Sequence, residues 1–148
     1  MSYTNLIFHA VFTTKHRAPV ISVDKERRVY GLLHAIMQKN NVKAIRIGGI
    51  EDHVHILFCM PPTMALSDFM KTLKRESSFL MGQERIIDRW PGWQEGYSAF
   101  SYSRHDVGKI TNYIKNQKEH HKRVSFVEEL RDWLIENGVP YDERFFPK

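Results

Sequence analysis

Two histidines, His53 and His55, flank one apolar residue in a segment that otherwise has the composition of a buried strand. Side chains at positions i and i+2 of a strand point to the same face of the sheet. Both imidazoles would therefore project together from a rigid element, where one divalent metal could contact them. A packed strand has little need for two such groups, so the pair predicts a metal site. Without a third ligand, a structural role for the pair is equally compatible with the pattern.

A candidate third ligand follows in a predicted helix. Tyr113 and Gln117 are four residues apart, which places them on one face of that helix, at the edge of its apolar stripe. A side-chain amide oxygen is a suitable ligand for Mg²⁺ or Mn²⁺ alongside imidazole and water. A single tyrosine at the rim of a helix stripe is more often a packing residue, so the residues alone leave the role of Tyr113 open.

The bulk composition is that of one globular domain. The chain has 148 residues, 42% of them hydrophobic and 26% charged, and its 22 basic against 17 acidic residues give a net charge of +5. A basic excess favours an anionic partner such as nucleic acid, although a mildly basic surface without a partner is equally compatible. The single cysteine, Cys59, excludes an internal disulfide. With no signal peptide and no apolar run of about 20 residues, we expect a cytoplasmic protein without a membrane partner.

Periodicity and turn signals predict four strands and four helices. The strands are expected at residues 6–14, 42–50, 53–60 and 97–103, with a hairpin joining the second and third. The helices are expected to begin at the caps Ser22, Ser67, Asp106 and Ser125. The third helix should run to about Arg123, and a loop should occupy residues 82–96.

The element order of strand, helix, strand, strand, helix, strand predicts an α+β fold of the ferredoxin-like (RRM-like) split βαβ type. Such a sandwich has a four-stranded antiparallel sheet with helices mainly on one face, here with C-terminal helices added. The other face is then left for nucleic acid or a partner. We expect one domain over residues 1–148, with a core at 3–123 and a C-terminal helix and tail at 124–148.

The His-hydrophobe-His strand, followed by a helix bearing Tyr-x-x-x-Gln, resembles the HUH single-tyrosine transposases of small bacterial insertion sequences. These are the transposases of the insertion-sequence-two-hundred type and their REP-associated relatives. The likeness runs from the first strand to about Phe126. It includes residues 12–17, 51–55, 93–101 and 113–121.

The resemblance implies a metal-dependent DNA strand transferase that acts on single-stranded DNA with hairpin ends. His53, His55 and Gln117 would hold one Mg²⁺ or Mn²⁺. Tyr113 would attack the scissile phosphate, forming a 5′-phosphotyrosine and freeing a 3′-hydroxyl that later rejoins strands without a nucleotide cofactor. It also implies a homodimer in which the tyrosine helix can serve the histidine pair of the partner.

Three further residues near the motifs have either a functional or a purely structural interpretation. Asp52 would either accept a hydrogen bond from His53 on the side of the ring away from the metal, and so orient it, or close the hairpin turn. His120 lies on the Tyr113 side of the helix, where it would touch the site or mark a solvated helix end. His9, on the first strand, is more typical of a packed core histidine.

Basic residues form three groups that would contact the DNA backbone, although solvated helix faces explain each group equally well. These candidates are Lys15, Arg17, Lys71, Lys74, Arg75, Lys118, Lys122 and Arg123.

Three other functions compete with the transposase. The chain could be a catalytically silent or domesticated DNA-hairpin-binding protein, or an HUH replication or relaxase-type nickase. It could also be a metallohydrolase in which water attacks, although no clear acid–base carboxylate motif supports that chemistry. The segment after Arg123 leaves open whether the tail covers the site.

Overall fold

The structure, a computed structural model, describes residues 2–148. One antiparallel sheet has the strand order β2-β3-β1-β4. Its strands are β1 (Ile7–Thr13), β2 (Lys43–Ile50), β3 (His53–Cys59) and β4 (Ser98–Tyr102). The helices are α1 (Val23–Lys39), α2 (Leu66–Gln83), α3 (Val107–Lys115), α4 (Gln117–His120) and α5 (Phe126–Glu136). The predicted ferredoxin-like fold class is confirmed.

Alternation along β1 and β3 divides the core into two clusters. The first lies between the sheet and helices α1 and α2, and hydrocarbon side chains fill it, among them Phe12, Ile56 and Phe58. The second lies between the opposite face and helices α3 and α5, and contains Val11, Leu57 and their helical neighbours. We call these the α1–α2 face and the α3–α5 face.

The α3–α5 face corrects one expectation. The sequence predicted that the second face would be left for nucleic acid or a partner, but helices of this chain cover it. The apolar stripe of α5, with Phe126, Leu130, Trp133 and Leu134, is long enough to bury itself against strands β1 and β4. Burial of such a stripe is favourable whenever an apolar sheet face is within reach.

The β2–β3 hairpin is confirmed, with Ile50 opposite His53 and a two-residue turn between them. Helix α3 packs closely on β2 because Gly48 has no side chain. A Cβ atom at this position would lie 2.8 Å from Ile114 Cγ2 and 2.9 Å from the Ile114 carbonyl oxygen. The glycine therefore sets how near the helix of Tyr113 comes to the sheet.

Two of the helix boundaries were predicted wrongly. Helix α2 has Ala65, not Ser67, at its N-cap, since the chain turns into the helix two residues earlier. The third helix does not continue to Arg123: it ends at Lys115, and Asn116 (φ −97°, ψ 20°) separates it from the short α4. The Ser125 cap is confirmed, because its side chain accepts a hydrogen bond from the backbone amide of Glu128.

Among residues 2–148, no helix combines the length and the apolar character needed to cross a membrane. The C-terminal tail packs through Phe146, which contacts the α3–α5 cluster, whereas Phe145 is 82% exposed.

Candidate metal and tyrosine site

Strand β3 presents the two histidines to the α3–α5 face. His53 and His55 are fully buried, and their ring centroids are 5.1 Å apart. The intervening Val54 points to the opposite cluster. The alternation predicted from the sequence therefore places both imidazoles on the same side of the sheet.

Each histidine of the pair has a partner behind it. His53 Nδ1 lies 2.8 Å from Asp52 Oδ1, and His55 Nδ1 lies 2.8 Å from His9 Nε2. Asp52 therefore stands where it can orient His53, and His9 does the same for His55. His9 is fully buried, and its Nδ1 has no hydrogen-bond partner within residues 2–148.

A carboxylate that the sequence analysis did not single out lies at the centre of the site. Glu129, from α5, is 2% exposed. Its Oε1 lies 3.0 Å from His55 Nε2 and 3.4 Å from His53 Nε2. Its Oε2 lies 3.0 Å from Nε2 of His121, a second residue that was missed. Together these four side chains place one donor atom each within 4.8 Å of one another.

The position of Glu129 in the sequence could have indicated that it is buried. Glu129 is three residues after Phe126 and four before Trp133, so it falls inside the apolar stripe of α5. A charged residue at such a position is rarely buried without a partner. His121 follows Gln117 by four residues and extends the spacing that had marked Tyr113 and Gln117.

Gln117 joins the same cluster despite the break before α4. Its Oε1 lies 3.2 Å from His53 Nε2 and 2.9 Å from His121 Nε2. Its amide nitrogen donates to Glu129 Oε2 at 3.1 Å. The structure therefore brings together all three residues that the sequence proposed as ligands.

Tyr113 lies at the rim of this cluster, on the same chain as the histidine pair. Its hydroxyl donates to Glu129 Oε2 and accepts from Trp133 Nε1 at 3.1 Å. His120 Nε2 is 3.2 Å from the same oxygen. Tyr113 and His120 also line a surface groove of about 470 Å³, together with Asn116, Glu119, Arg123 and Val124.

Burial and charge set the protonation of these groups. Burial and the neighbouring Glu129 carboxylate raise the pKa of Tyr113 above its ordinary value. Burial opposes ionisation of Glu129, but the surrounding histidines outweigh it and lower the pKa of this carboxyl. Burial also opposes the charged form of His53, yet hydrogen bonds to Asp52 and Glu129 raise its pKa to about 9.

The pKa values of two further histidines at the site, His55 and His120, are shifted in the opposite direction. Burial lowers the pKa of His55, because its partners do not compensate for the lost hydration. Burial also lowers the pKa of His120, and the charge of neighbouring histidines adds to this effect. Both are therefore neutral near pH 7.

The donor set fits a divalent metal. Imidazole nitrogens and carboxylate or amide oxygens are the ligands of Mn²⁺ and related ions. Donors that share an ion at about 2.1 Å lie about 3.0–3.4 Å apart when they are neighbours in its coordination sphere. The separations between Glu129 Oε1 and the two histidine nitrogens, 3.0 and 3.4 Å, fall in this range.

Some of the basic side chains that were predicted to contact DNA interact with other residues of the protein, and the others are exposed. Lys74 Nζ donates to the Gln94 carbonyl at 2.6 Å, so it secures the loop before β4. Lys118 pairs with Glu26, and Lys122 with Glu119. The guanidinium of Arg17 lies 5.4 Å from the centre of the Phe126 ring. The exposed candidates are Lys15, Lys71, Arg75 and Arg123.

Comparison with known proteins places this chain in a family. Residues 2–117 match the family model described as "Transposase IS200 like". The chain is 31% identical over 124 residues to the transposase for insertion sequence element IS200 of Salmonella typhimurium, covering 80% of each protein. It is 27% identical over 119 residues to the ISDra2 transposase TnpA of Deinococcus radiodurans, covering 77% of this chain and 85% of that protein.

Two solved structures have a similar fold. One is a protein from Deinococcus radiodurans described as a candidate transposase, with a TM-score of 0.62, 26% identity, and coverage of 78% of this chain and 93% of that one. The other is a REP-associated tyrosine transposase bound to a REP hairpin, with a TM-score of 0.60, 13% identity, and coverage of 95% and 89%. From its sequence match and its fold, this chain belongs to the IS200-like transposase family.

Proposed function

We propose that this protein cuts and rejoins single-stranded DNA at the ends of a mobile element through a covalent bond to Tyr113. The observation that carries the proposal is the position of the Tyr113 hydroxyl. It shares the Glu129 carboxylate with His53 and His55, and it lines a groove open to solvent. A nucleophile, a metal-binding set and an access route therefore meet at one point.

Tyr113 would attack the phosphorus atom and form a 5′-phosphotyrosine as the bond between phosphorus and the 3′ oxygen breaks. That oxygen would take up one proton, equal to the one that Tyr113 loses, and become a free 3′-hydroxyl. A phenol with an ordinary pKa near 10 is a weak nucleophile, and here burial raises that pKa further. Removal of its proton is therefore the step with which the protein must assist. Reversal by another 3′-hydroxyl would rejoin strands and return the proton to Tyr113 Oη.

His120 is the better of the two proton acceptors at the hydroxyl. Glu129 contacts it, but the lowered pKa of this carboxyl makes it a poor base. His120 is neutral near pH 7 because burial lowers its pKa, and its Nε2 lies 3.2 Å from the Tyr113 oxygen. That distance is within reach for direct proton transfer. The O–H would turn from Glu129 to His120 Nε2, which takes the proton, while Trp133 Nε1 goes on donating to the Tyr113 oxygen and holds it in place.

His53, His55 and Gln117 would hold one Mg²⁺ or Mn²⁺. When bound, the ion would offset negative charge on the phosphate oxygens and orient the phosphate for in-line attack. Asp52 and His9 would keep the rings of His53 and His55 aimed at this point.

The DNA substrate would reach Tyr113 along its groove, where the exposed Arg123 adds positive charge. We expect hairpin-bearing single-stranded DNA in the cytoplasm, and a homodimer, as the family resemblance implies. Because Tyr113 lies beside the histidines of its own chain, the proposed reaction needs no tyrosine from a partner.

The test is covalent capture. The protein is incubated with Mn²⁺ and single-stranded oligonucleotides that carry the ends of its element, and adducts are separated on a denaturing gel. We expect an adduct with the wild type and with Tyr102→Phe, but none with Tyr113→Phe. An adduct with Tyr113→Phe would show that another residue is the nucleophile. If the wild type forms none on any authentic end, the DNA-binding alternative gains instead.

A further inference from the structure

The cluster of side chains that could hold a metal extends beyond the segment that matches the family model. That segment ends at residue 117, whereas His121 and Glu129 lie after it. Both side chains nevertheless reach the two histidines of β3, and all four place a donor atom within 4.8 Å of one another. The C-terminal helix α5 therefore contributes to the same centre as strand β3.

The three histidines have a common hydrogen-bond arrangement. His121 Nδ1 lies 2.9 Å from the Val124 carbonyl oxygen, which can only accept. His53 Nδ1 meets a carboxylate in the same way, and His55 Nδ1 meets the ring nitrogen of His9. A histidine that donates from Nδ1 keeps the lone pair of its other nitrogen for a metal. Once a metal displaces the second proton of His53, all three Nε2 atoms would present lone pairs to one point.

The two oxygen atoms nearest to His121 Nε2 are also acceptors. His121 Nε2 lies 2.9 Å from Gln117 Oε1 and 3.0 Å from Glu129 Oε2. Lone pairs this close repel each other unless a proton or a cation lies between them. Glu129 is 2% exposed, and a carboxylate so buried is costly without compensating positive charge. One divalent cation would satisfy the whole group.

We propose that His121 and Glu129 complete the metal site beside His53, His55 and Gln117. The ion is then held by three imidazoles, one carboxylate and one amide oxygen, and it is a first-row transition ion such as Mn²⁺ rather than Mg²⁺. The inference rests on the proposed function, because it concerns the same site. Imidazole suits transition ions, whereas Mg²⁺ favours oxygen donors and retains its water. Glu129 would also link the ion to the nucleophile, because its second oxygen accepts from the Tyr113 hydroxyl.

The first test needs no variant. The full-length, metal-stripped protein is titrated with Mn²⁺ by calorimetry, and the bound ion is examined by pulsed electron paramagnetic resonance. We expect one site with three coupled imidazole nitrogens, and affinity for Mg²⁺ at least about tenfold weaker than for Mn²⁺. Two coupled nitrogens, or equal affinity for the two ions, would overturn the inference.

The second test uses matched variants. Glu129→Gln and His121→Ala should each weaken Mn²⁺ binding at least about tenfold, and His121→Ala should show two coupled nitrogens. The controls Glu136→Gln, exposed on the same helix, and His105→Ala, exposed before α3, should bind Mn²⁺ like the wild type.

The outcomes separate the two proposals. Wild-type Mn²⁺ affinity in Glu129→Gln, with binding lost in His53→Ala, would disprove the role of Glu129 and leave the transposase reaction intact. If the wild type binds Mn²⁺ through three nitrogens but forms no DNA adduct, the transposase reaction is disproved and the extended metal site stands. If the wild type binds no metal, the extended site is wrong.

Discussion

The α1–α2 face and the α3–α5 face of the sheet are formed by the same strands, yet they place different demands on the fold. Alternate residues of β3 supply Val54, Ile56 and Phe58 to the first face, and His53 and His55 to the second. The first face is stabilised by close packing of hydrocarbon side chains. The second interrupts its apolar cluster with buried histidines and a carboxylate, whose protonation states depend on one another.

This difference separates stability from chemistry within one small domain. Buried polar groups contribute little net stability even when they are well paired, because their desolvation offsets their interactions. The α1–α2 face can therefore hold the strands in register while the α3–α5 face buries the histidines and the carboxylate of the proposed site. The comparison predicts that substitutions on the two faces will affect different measurements.

The largest effect is expected on the α3–α5 face. His120→Ala should slow formation of the Tyr113–DNA adduct by about 10²- to 10⁴-fold, the usual contribution of a general base. Its affinity for Mn²⁺ should not change, because His120 is outside the ligand cluster. Single-turnover adduct formation measures the rate, and His105→Ala serves as the control. An unchanged rate would assign the proton to a different acceptor.

Removal of packing from the α1–α2 face should have a comparable energetic effect on a different quantity. Phe58 is fully buried and packs against Phe69 at a ring-centroid distance of 5.2 Å. Phe58→Ala should lower the free energy of unfolding by about 3–5 kcal/mol, measured by urea denaturation. The folded variant should still bind Mn²⁺ with wild-type affinity. A large loss of metal affinity would show that the two faces are not independent.

His9 distinguishes a positioning role from a packing role. His9→Leu removes the acceptor for His55 Nδ1 and should weaken Mn²⁺ binding about 10- to 100-fold. Its stability should change little, since the substitution also removes a buried nitrogen that has no partner in residues 2–148. His9→Gln retains an acceptor and should recover part of the affinity. Equal affinities in His9→Leu and the wild type would leave His9 as a packing residue.

The smallest effects are expected from substitutions that change how α3, the helix of Tyr113, packs on the sheet. Gly48→Ala should lower the free energy of unfolding by about 1–3 kcal/mol, because its Cβ would press against Ile114. It should also reduce the adduct rate, since α3 carries Tyr113. Gly108→Ala, in the same helix with open space around it, should instead stabilise the protein by about 0.5–1 kcal/mol. If Gly48→Ala and Gly108→Ala gave the same urea-unfolding curve, close packing of α3 at Gly48 would not be the cause.

Much of the fold could be predicted because its signals are local. Two-residue alternation in β3 and the apolar stripe of α5 each predict an element and the face that it buries. The break at Asn116 was not predicted, since residues 115–123 contain no glycine or proline that would end a helix, and packing against the sheet decides where α3 ends. The cap of α2 was misplaced by two residues because Ser67 is a good cap by type, and local type competes with tertiary contacts.

The sequence by itself determined that two histidines share a strand face, and that a tyrosine and an amide lie four residues apart downstream. These follow from backbone periodicity, which is the same in any fold. Only the tertiary structure decided that Glu129 and His121 meet them, because contacts across 74 residues depend on how helices pack. The physical reason is that a buried carboxylate must find positive or hydrogen-bonding partners, and folding of α5 against β3 places Glu129 beside them.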